Sequence, residues 1–255
     1  MGALHEGHLS LIRMSKLHTD ITVVSIFVNP TQFGPNEDFQ KYPRPIEQDM
    51  SKLVEVDVDL LFLPEPGEMY PTGAATSIHV QGITDDFEGA IRPHHFDGVA
   101  TVVAGLLNIV QPTIAYFGQK DAQQVAVVKR MVRDLHIPVE IEVGEIIREE
   151  GKLALSSRNV YLSPSDRKEA QTLSSALDLI RAEMTSGTPW ETARIHALEH
   201  LRKEAPSGML DYLEAVDTET FQKVTSFDGM DSITVVAAVR FGSTRLLDNI
   251  VIQKG

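Results

Sequence analysis

Met1-Gly2-Ala3-Leu4-His5-Glu6-Gly7-His8 sets two histidines three positions apart, with a glycine between them, ahead of a segment with helical periodicity. The spacing puts both imidazoles on one side of a first helical turn. Free backbone N–H groups and the helix dipole make such a turn suited to phosphates. Gly2 and Gly7 allow the backbone to approach a ligand closely. Imidazoles beside a triphosphate can stabilise negative charge that grows in a transition state. Taken alone, H-x-G-H also fits two surface histidines flanking a turn, and no third ligand stands at zinc spacing.

Three further segments carry compatible chemistry. Phe27-Val28-Asn29-Pro30-Thr31-Gln32-Phe33-Gly34 follows a β-branched run, the place where open α/β sheets bind ligands. The carboxamides of Asn29 and Gln32 both donate and accept, so they can read the hydroxyl and carboxylate groups of a small polar substrate. An ordinary Asn-Pro turn is the competing reading. Phe117-Gly118-Gln119-Lys120-Asp121-Ala122-Gln123-Gln124 follows another strand and opens a helix. Lys120 is a point charge suited to phosphate. Asp121 can cap the helix, hold Lys120 or meet Mg²⁺, and Gln124 lies one turn beyond Lys120. Leu155-Ser156-Ser157-Arg158 offers two hydroxyls and a guanidinium for a triphosphate. Arg92-Pro93-His94-His95-Phe96 reads as an ordinary loop, the alternative being a segment that borders the pocket. Neither a P-loop nor a dinucleotide fingerprint is present, nor a G-x-S-x-G elbow.

These segments need a scaffold that presents them at strand ends. Strands are expected at Ile21–Val28, Asp59–Leu63, Thr113–Phe117 and Val139–Val143, separated by helical patterns at His8–His18, Gln48–Val56 and Asp121–Leu135. That alternation implies a parallel sheet with crossovers. The second half differs. A helix starts at Ser163-Pro164 and runs to about Met184, Gly187-Thr188-Pro189 breaks it, and a second helix runs to about Glu204. Leu210–Val216, Ser232–Val239 and Arg245–Ile252 then read as an antiparallel sheet, giving a smaller α+β domain. The expected division is residues 1–146 and 147–255, with the second domain able to close on a ligand like a lid.

Composition bounds the function. The 255 residues carry 36 acidic and 23 basic side chains, a net charge of −13. That balance disfavours general nucleic-acid binding. The apolar stretch Gly98–Val110 is too short for a membrane span. The absence of cysteine excludes disulfides, thiolate metal sites and cysteine nucleophiles. A cytoplasmic location is expected.

MGALHEGH, VSIFVNPTQFGPNEDFQKYPR, RPHHFDGVATVV, FGQKDAQQ, LALSSRN and the C-terminal LLDNI, in that order, resemble the pantoate–β-alanine ligase family. H-x-G-H is similar to the signature of the wider nucleotidyltransferase superfamily. The resemblance implies attack of pantoate carboxylate on the α-phosphorus of ATP, loss of pyrophosphate, and capture of the pantoyl adenylate by β-alanine. It also implies Mg²⁺ with the ATP, a homodimer, and a Rossmann-like nucleotide-binding N-terminal domain with a smaller C-terminal domain that closes as a lid over ATP. Carried over by position, Met1, Gly2, Ala3, Leu4, His5, Glu6, Gly7 and His8 form one ATP segment, with His8 as the usual proton donor and His5 as its partner. Charge stabilisation is the role expected of His8 here. Gly118, Gln119, Lys120 and Asp121 form a second ATP segment, and Ile147, Leu155, Ser156, Ser157 and Arg158 a third. Gln32 and Gln124 match pantoate contacts, Gln32 also lying near β-alanine. His8, His5, Lys120 and Arg158 are the expected catalytic set.

The resemblance further implies a strand and helix ahead of MGALHEGH, the strand lying centrally between Ile21–Val28 and Thr113–Phe117. Without it, two strands keep unpaired backbone groups, each costing on the order of 1–3 kcal/mol where buried. The natural product is therefore expected to start upstream, or this chain to be a shortened form; the intact mass of the native protein tests this. The alternatives are another H-x-G-H nucleotidyltransferase with a different acceptor, and a protein that binds ATP without turning it over.

Overall fold

A computed structural model describes residues 2–35, 37 and 39–254; the ATP contact expected of Met1 lies outside them. The chain divides into two compact units, one formed by Met1–Gly118 and Gln123–Glu145, the other by Gln119–Ala122 and Ile146–Gly255. The main change of unit thus falls at 145/146, one residue from the expected division, while a four-residue segment of the first half clusters with the second unit.

In the first unit, strands and helices alternate as the sequence pattern requires. The strands are β1 (Val23–Ser25), β2 (Leu60–Phe62), β3 (Ile114–Gly118) and β4 (Glu140–Gly144). β1 pairs in parallel with β2, and β3 with β4. Among the described residues no ladder joins the two pairs. β1 is shorter than the run Ile21–Val28 because β2 offers it only three partners and the chain turns at Asn29-Pro30 into a short 3₁₀ helix, Pro30–Gln32. Helix α1 (Glu6–His18) precedes β1, and α2 (Ile46–Glu55) leads to β2. Leu9 and Ile12 of α1 bury with Leu4, Ile26 and Leu53, so the histidine segment is seated on a small core of its own. The short helices α3 (Pro66–Met69) and α4 (Phe87–Ile91) precede α5 (His95–Val110), and α6 (Ala122–Asp134) follows β3.

α5 corrects one expectation. Arg92–Phe96, read as a loop, instead turns the chain into a helix, with His94 at φ 65° just before its first residue. The apolar stretch Gly98–Val110 continues that helix, and Val99 and Ala100 are essentially inaccessible. No helix among the described residues is long and apolar enough to cross a membrane.

The second unit follows its sequence signals closely. The Ser163 hydroxyl accepts the Asp166 N–H at 3.1 Å, and Pro164 occupies the first position of α7 (Pro164–Thr185). Gly187, at φ 94°, permits the reversal into α8 (Trp190–Glu204). β5 (Met209–Asp217), β6 (Ser232–Phe241) and β7 (Thr244–Gln253) form an antiparallel meander with β6 central. Leu173, Leu177 and Ile180 of α7 pack with Leu213, Ile233 and Val235 of the sheet in one closed core.

Candidate active site

The histidine segment is held from below by α2. The carboxylate of Asp49 is buried and accepts the Ala3 and Leu4 N–H groups, one on each oxygen, both at 2.7 Å. Lys52, one turn on, donates to the Leu4 carbonyl at 2.5 Å. Ala3 sits at φ 51°, a strained conformation for an alanine, and the Asp49 pair of hydrogen bonds holds it there. A Cβ at Gly2 would come 3.2 Å from Ile26, which explains a glycine at that position.

α1 begins immediately after this anchor. The His5 carbonyl accepts from His8 N–H at 2.8 Å, and the His5 N–H donates back to His8 Nδ1 at 3.2 Å. The two rings stack with centroids 4.0 Å apart. A Cβ at Gly7 would lie 3.0–3.1 Å from the His5 ring, so the glycine of H-x-G-H leaves room for the stack. Because Nδ1 of His8 accepts, the neutral ring carries its proton on Nε2, fixed as a donor. The first turn of α1 thus combines backbone N–H groups, a helix N-terminus and an imidazole of defined tautomer.

The second cluster of this unit surrounds Gln32, which is buried. Asn29 donates to Gln32 Oε1 at 3.2 Å and to the Gly98 carbonyl at 3.0 Å, while its own oxygen accepts from Tyr70 Oη at 2.8 Å and Thr31 Oγ1 at 3.0 Å. Both ends of the Asn29 amide are therefore engaged by protein, and it acts as a strut under Gln32. A Cβ at Gly98 would meet the Thr31 carbonyl at 2.5 Å, so the glycine lets α5 press directly on this turn. His95 Nδ1 donates to the Gln32 carbonyl at 2.8 Å, and its Nε2 accepts from Arg92 at 3.0 Å. Burial, reinforced by the Arg92 charge, pushes the His95 pKa down and keeps the ring neutral. Arg92 in turn makes a two-pronged pair with Glu37 at 2.6 and 2.8 Å. Burial raises the Glu37 pKa, but Arg92 outweighs it and the net shift is downward. Gln124 is half-buried on α6; its neighbour Gln123 is spent on the Ile83 and Asp86 carbonyls at 2.8 and 2.9 Å.

Gly118 ends β3 in the first unit, and the second unit holds Gln119, Lys120, Asp121, Ile147, Leu155, Ser156, Ser157 and Arg158. Gln119–Asp121 form a 3₁₀ turn, with Lys120 Nζ 3.5 Å from Asp121 Oδ1. Asn249 Nδ2 donates to the Gln119 and Lys120 carbonyls at 2.9 and 3.0 Å, and its Oδ1 accepts from Gln119 Nε2 at 2.9 Å. Ile147 and Leu155 face each other in a hairpin, the Leu155 N–H donating to the Ile147 carbonyl at 2.9 Å. Asp248 grips Arg148 of that hairpin through both oxygens, at 2.7 and 2.9 Å. Burial opposes the Arg148 charge, but Asp248 more than compensates and its pKa rises. Ser156 caps the next 3₁₀ turn, Ser157–Tyr161, accepting from the Arg158 N–H at 3.3 Å. Buried Asn159 ties this turn to Glu149 and to the Ala154 carbonyl. No cluster of three or more metal-binding side chains occurs among the described residues.

Sequence reasoning missed Asp49 and Asn249. Each left a signal: Asp49 lies on the apolar stripe Ile46–Leu53 of α2, and Asp248-Asn249 interrupts the apolar strand Leu246–Ile252.

The family model described as pantoate-beta-alanine ligase matches residues 1–251. A pantothenate synthetase of Acetivibrio thermocellus is 50% identical over 254 residues, 99% of this chain and 89% of that protein. One from Caldicellulosiruptor bescii is 49% identical, with 99% and 89% covered. Among solved structures, the pantothenate synthetase of Thermus thermophilus superposes with a TM-score of 0.94 at 49% identity, covering 98% of this chain and 90% of that one. A pantoate-beta-alanine ligase of Francisella tularensis, complexed with beta-gamma ATP and beta-alanine, gives a TM-score of 0.77 at 36% identity, covering 100% and 88%.

Proposed function

Since the chain belongs to the pantoate–β-alanine ligase family and joins pantoate to β-alanine at the expense of ATP, we propose a division of labour among its residues in that reaction. In the first step a pantoate carboxylate oxygen attacks the α-phosphorus of ATP; the bond to the bridging oxygen breaks and pyrophosphate leaves. In the second, the β-alanine amine attacks the acyl carbon of the pantoyl adenylate, the C–O bond to AMP breaks, and the amine loses a proton. His8, through Nε2–H, and His5 stabilise the charge gathering on the phosphates, together with Lys120 and Arg158. The segment Gly2–Leu4, Glu6 and Gly7, the turn Gly118–Asp121, Ile147 and Leu155–Ser157 hold ATP. Gln32 and Gln124 hold pantoate, Gln32 also guiding β-alanine, and Asn29 acts through Gln32.

Mg²⁺ enters as part of the ATP substrate. A triphosphate and water supply most of its ligands, which suits a chain without a built carboxylate cage among its described residues. The enzyme works as a homodimer in the cytoplasm.

The observation that carries this reading is the stacked His5–His8 pair with its Nε2–H donor at the start of α1. Pyrophosphate release from MgATP tests it: release depends on pantoate, and sustained AMP formation depends on β-alanine. Release without pantoate would point to a different acceptor. One mutational outcome belongs here. Gln124→Ala raises the KM for pantoate by about tenfold, the value of a hydrogen bond to a charged group, and leaves the KM for ATP within about twofold. A selective rise in the KM for ATP would show that Gln124 is misassigned.

A further inference from the structure

Asp248 and Asn249 interrupt an otherwise apolar strand, and both are buried. A polar pair in such a place must find partners, and each finds them on a segment assigned above to ATP. Asn249 uses its whole amide on one turn. Its two N–H bonds go to the consecutive carbonyls of Gln119 and Lys120, and its oxygen takes the Gln119 side chain. Among the described residues the Lys120 ammonium has an ion-pair partner in Asp121, at the long distance of 3.5 Å. The point and direction in which the lysine side chain leaves the backbone are set by its own turn. That backbone is fixed by Asn249, which is itself fixed because β7 pairs with the central strand β6 opposite Val236.

We propose that Asn249 is a positioning residue for Lys120: it clamps the 119–121 turn so that the lysine ammonium is held where phosphate charge develops. This rests on the functional reading above. Charge stabilisation depends on placement before the reaction begins, and a displacement of about 1 Å can cost on the order of a hundredfold in rate. Loss of the clamp is therefore felt in kcat more than in ground-state binding.

The test has two arms. In the kinetic arm, Asn249→Ala lowers kcat about tenfold with the KM for ATP within about threefold, and in a Lys120→Ala background the same change lowers kcat by less than about twofold. Equal factors in both backgrounds would mean that Asn249 does not act through Lys120 and would overturn the inference. So would an unchanged kcat accompanied only by a lower Tm. If the alanine variant does not fold, Asn249→Ser, which keeps one donor, is read in the same cycle. In the second arm, amide hydrogen exchange of the purified full chain is compared between wild type and Asn249→Ala. Exchange speeds up at Gln119 to Asp121 while the α7 core stays protected; uniform acceleration across the unit would overturn the clamp. This arm needs no turnover, so it separates failure of the clamp from failure of the functional reading.

Discussion

Replacing His8 by alanine lowers kcat on the order of 10²–10³-fold, the cost of removing one pre-placed donor to a developing oxyanion, while ATP affinity changes no more than about threefold. The expectation follows from the tautomer. His8 Nδ1 is committed to the His5 N–H, so in the neutral ring the proton sits on Nε2, the atom given the donor role in the proposed reaction. A donor placed for the transition state contributes little to ground-state binding and much to the rate. Alanine also removes a cap from the start of α1, at about 1 kcal/mol, so a second variant separates the two effects. Asn at position 8 supplies an oxygen close to the place of Nδ1 but nothing at Nε2. His8→Asn therefore recovers most of the thermal stability and none of the rate. Steady-state kinetics with calorimetric titration of ATP, beside thermal unfolding, checks both. A loss of ATP affinity as large as the loss of kcat would refute the assignment.

The second large effect is at Asp49. Asp49→Ala strips the acceptors from two N–H groups, Ala3 and Leu4. The Leu4 N–H is buried and the Ala3 N–H part-buried; a fully buried orphan costs about 1–3 kcal/mol and a part-buried one less, so the variant loses roughly 2–5 kcal/mol from a total of about 5–15 kcal/mol. Ala3 no longer has a reason to hold its positive φ, and the segment leading into His5 relaxes. Turnover falls with stability in this variant. Asp49→Asn is more informative, because the amide has the same shape and one accepting oxygen. It loses about half as much stability, and pantoate-dependent pyrophosphate release still falls at least tenfold because one of the two anchoring bonds is gone. Denaturant unfolding and the release assay, run on both variants at a temperature where each is folded, check this. Full activity in a folded Asp49→Asn enzyme would mean that the segment is positioned by Lys52 and the Leu4 seat alone.

Local patterns were enough for the scaffold. Short apolar runs, β-branched except at Leu60–Phe62, marked all four parallel strands, and Ser163-Pro164 and Gly187-Thr188-Pro189 marked the ends of α7 and the start of α8. Strand lengths were less legible, because a strand extends only as far as its partner: three residues of β2 limit β1. The start of α5 was hidden because Arg92–Phe96 contains proline and adjacent histidines, and the helix is secured by Gly98 packing on the Thr31 carbonyl, a contact invisible in local sequence. The candidate chemical residues could be picked out by type and spacing. Their supports did not: Asp49 serves backbone groups more than forty positions earlier, and Asn249 serves a turn about one hundred and thirty positions earlier. Asn29 was legible as a polar residue at a strand end, but whether its amide faces a ligand or a neighbour is decided by tertiary contacts with Tyr70 and Gly98.

The membership of Gln119–Ala122 in the second unit has a consequence for anyone who would take the protein apart. A gene cut at the apparent border near residue 146 would not yield two self-sufficient modules. The first fragment would carry Lys120 without the strand that clamps its turn; the second would carry Asn249 with its amide facing nothing. Grafting a second unit from a relative would succeed or fail on a four-residue insert encoded in the other half of the gene. Recombination between homologous genes is expected to tolerate crossovers beyond residue 146 only where the donor supplies a compatible pair at positions 119 and 249.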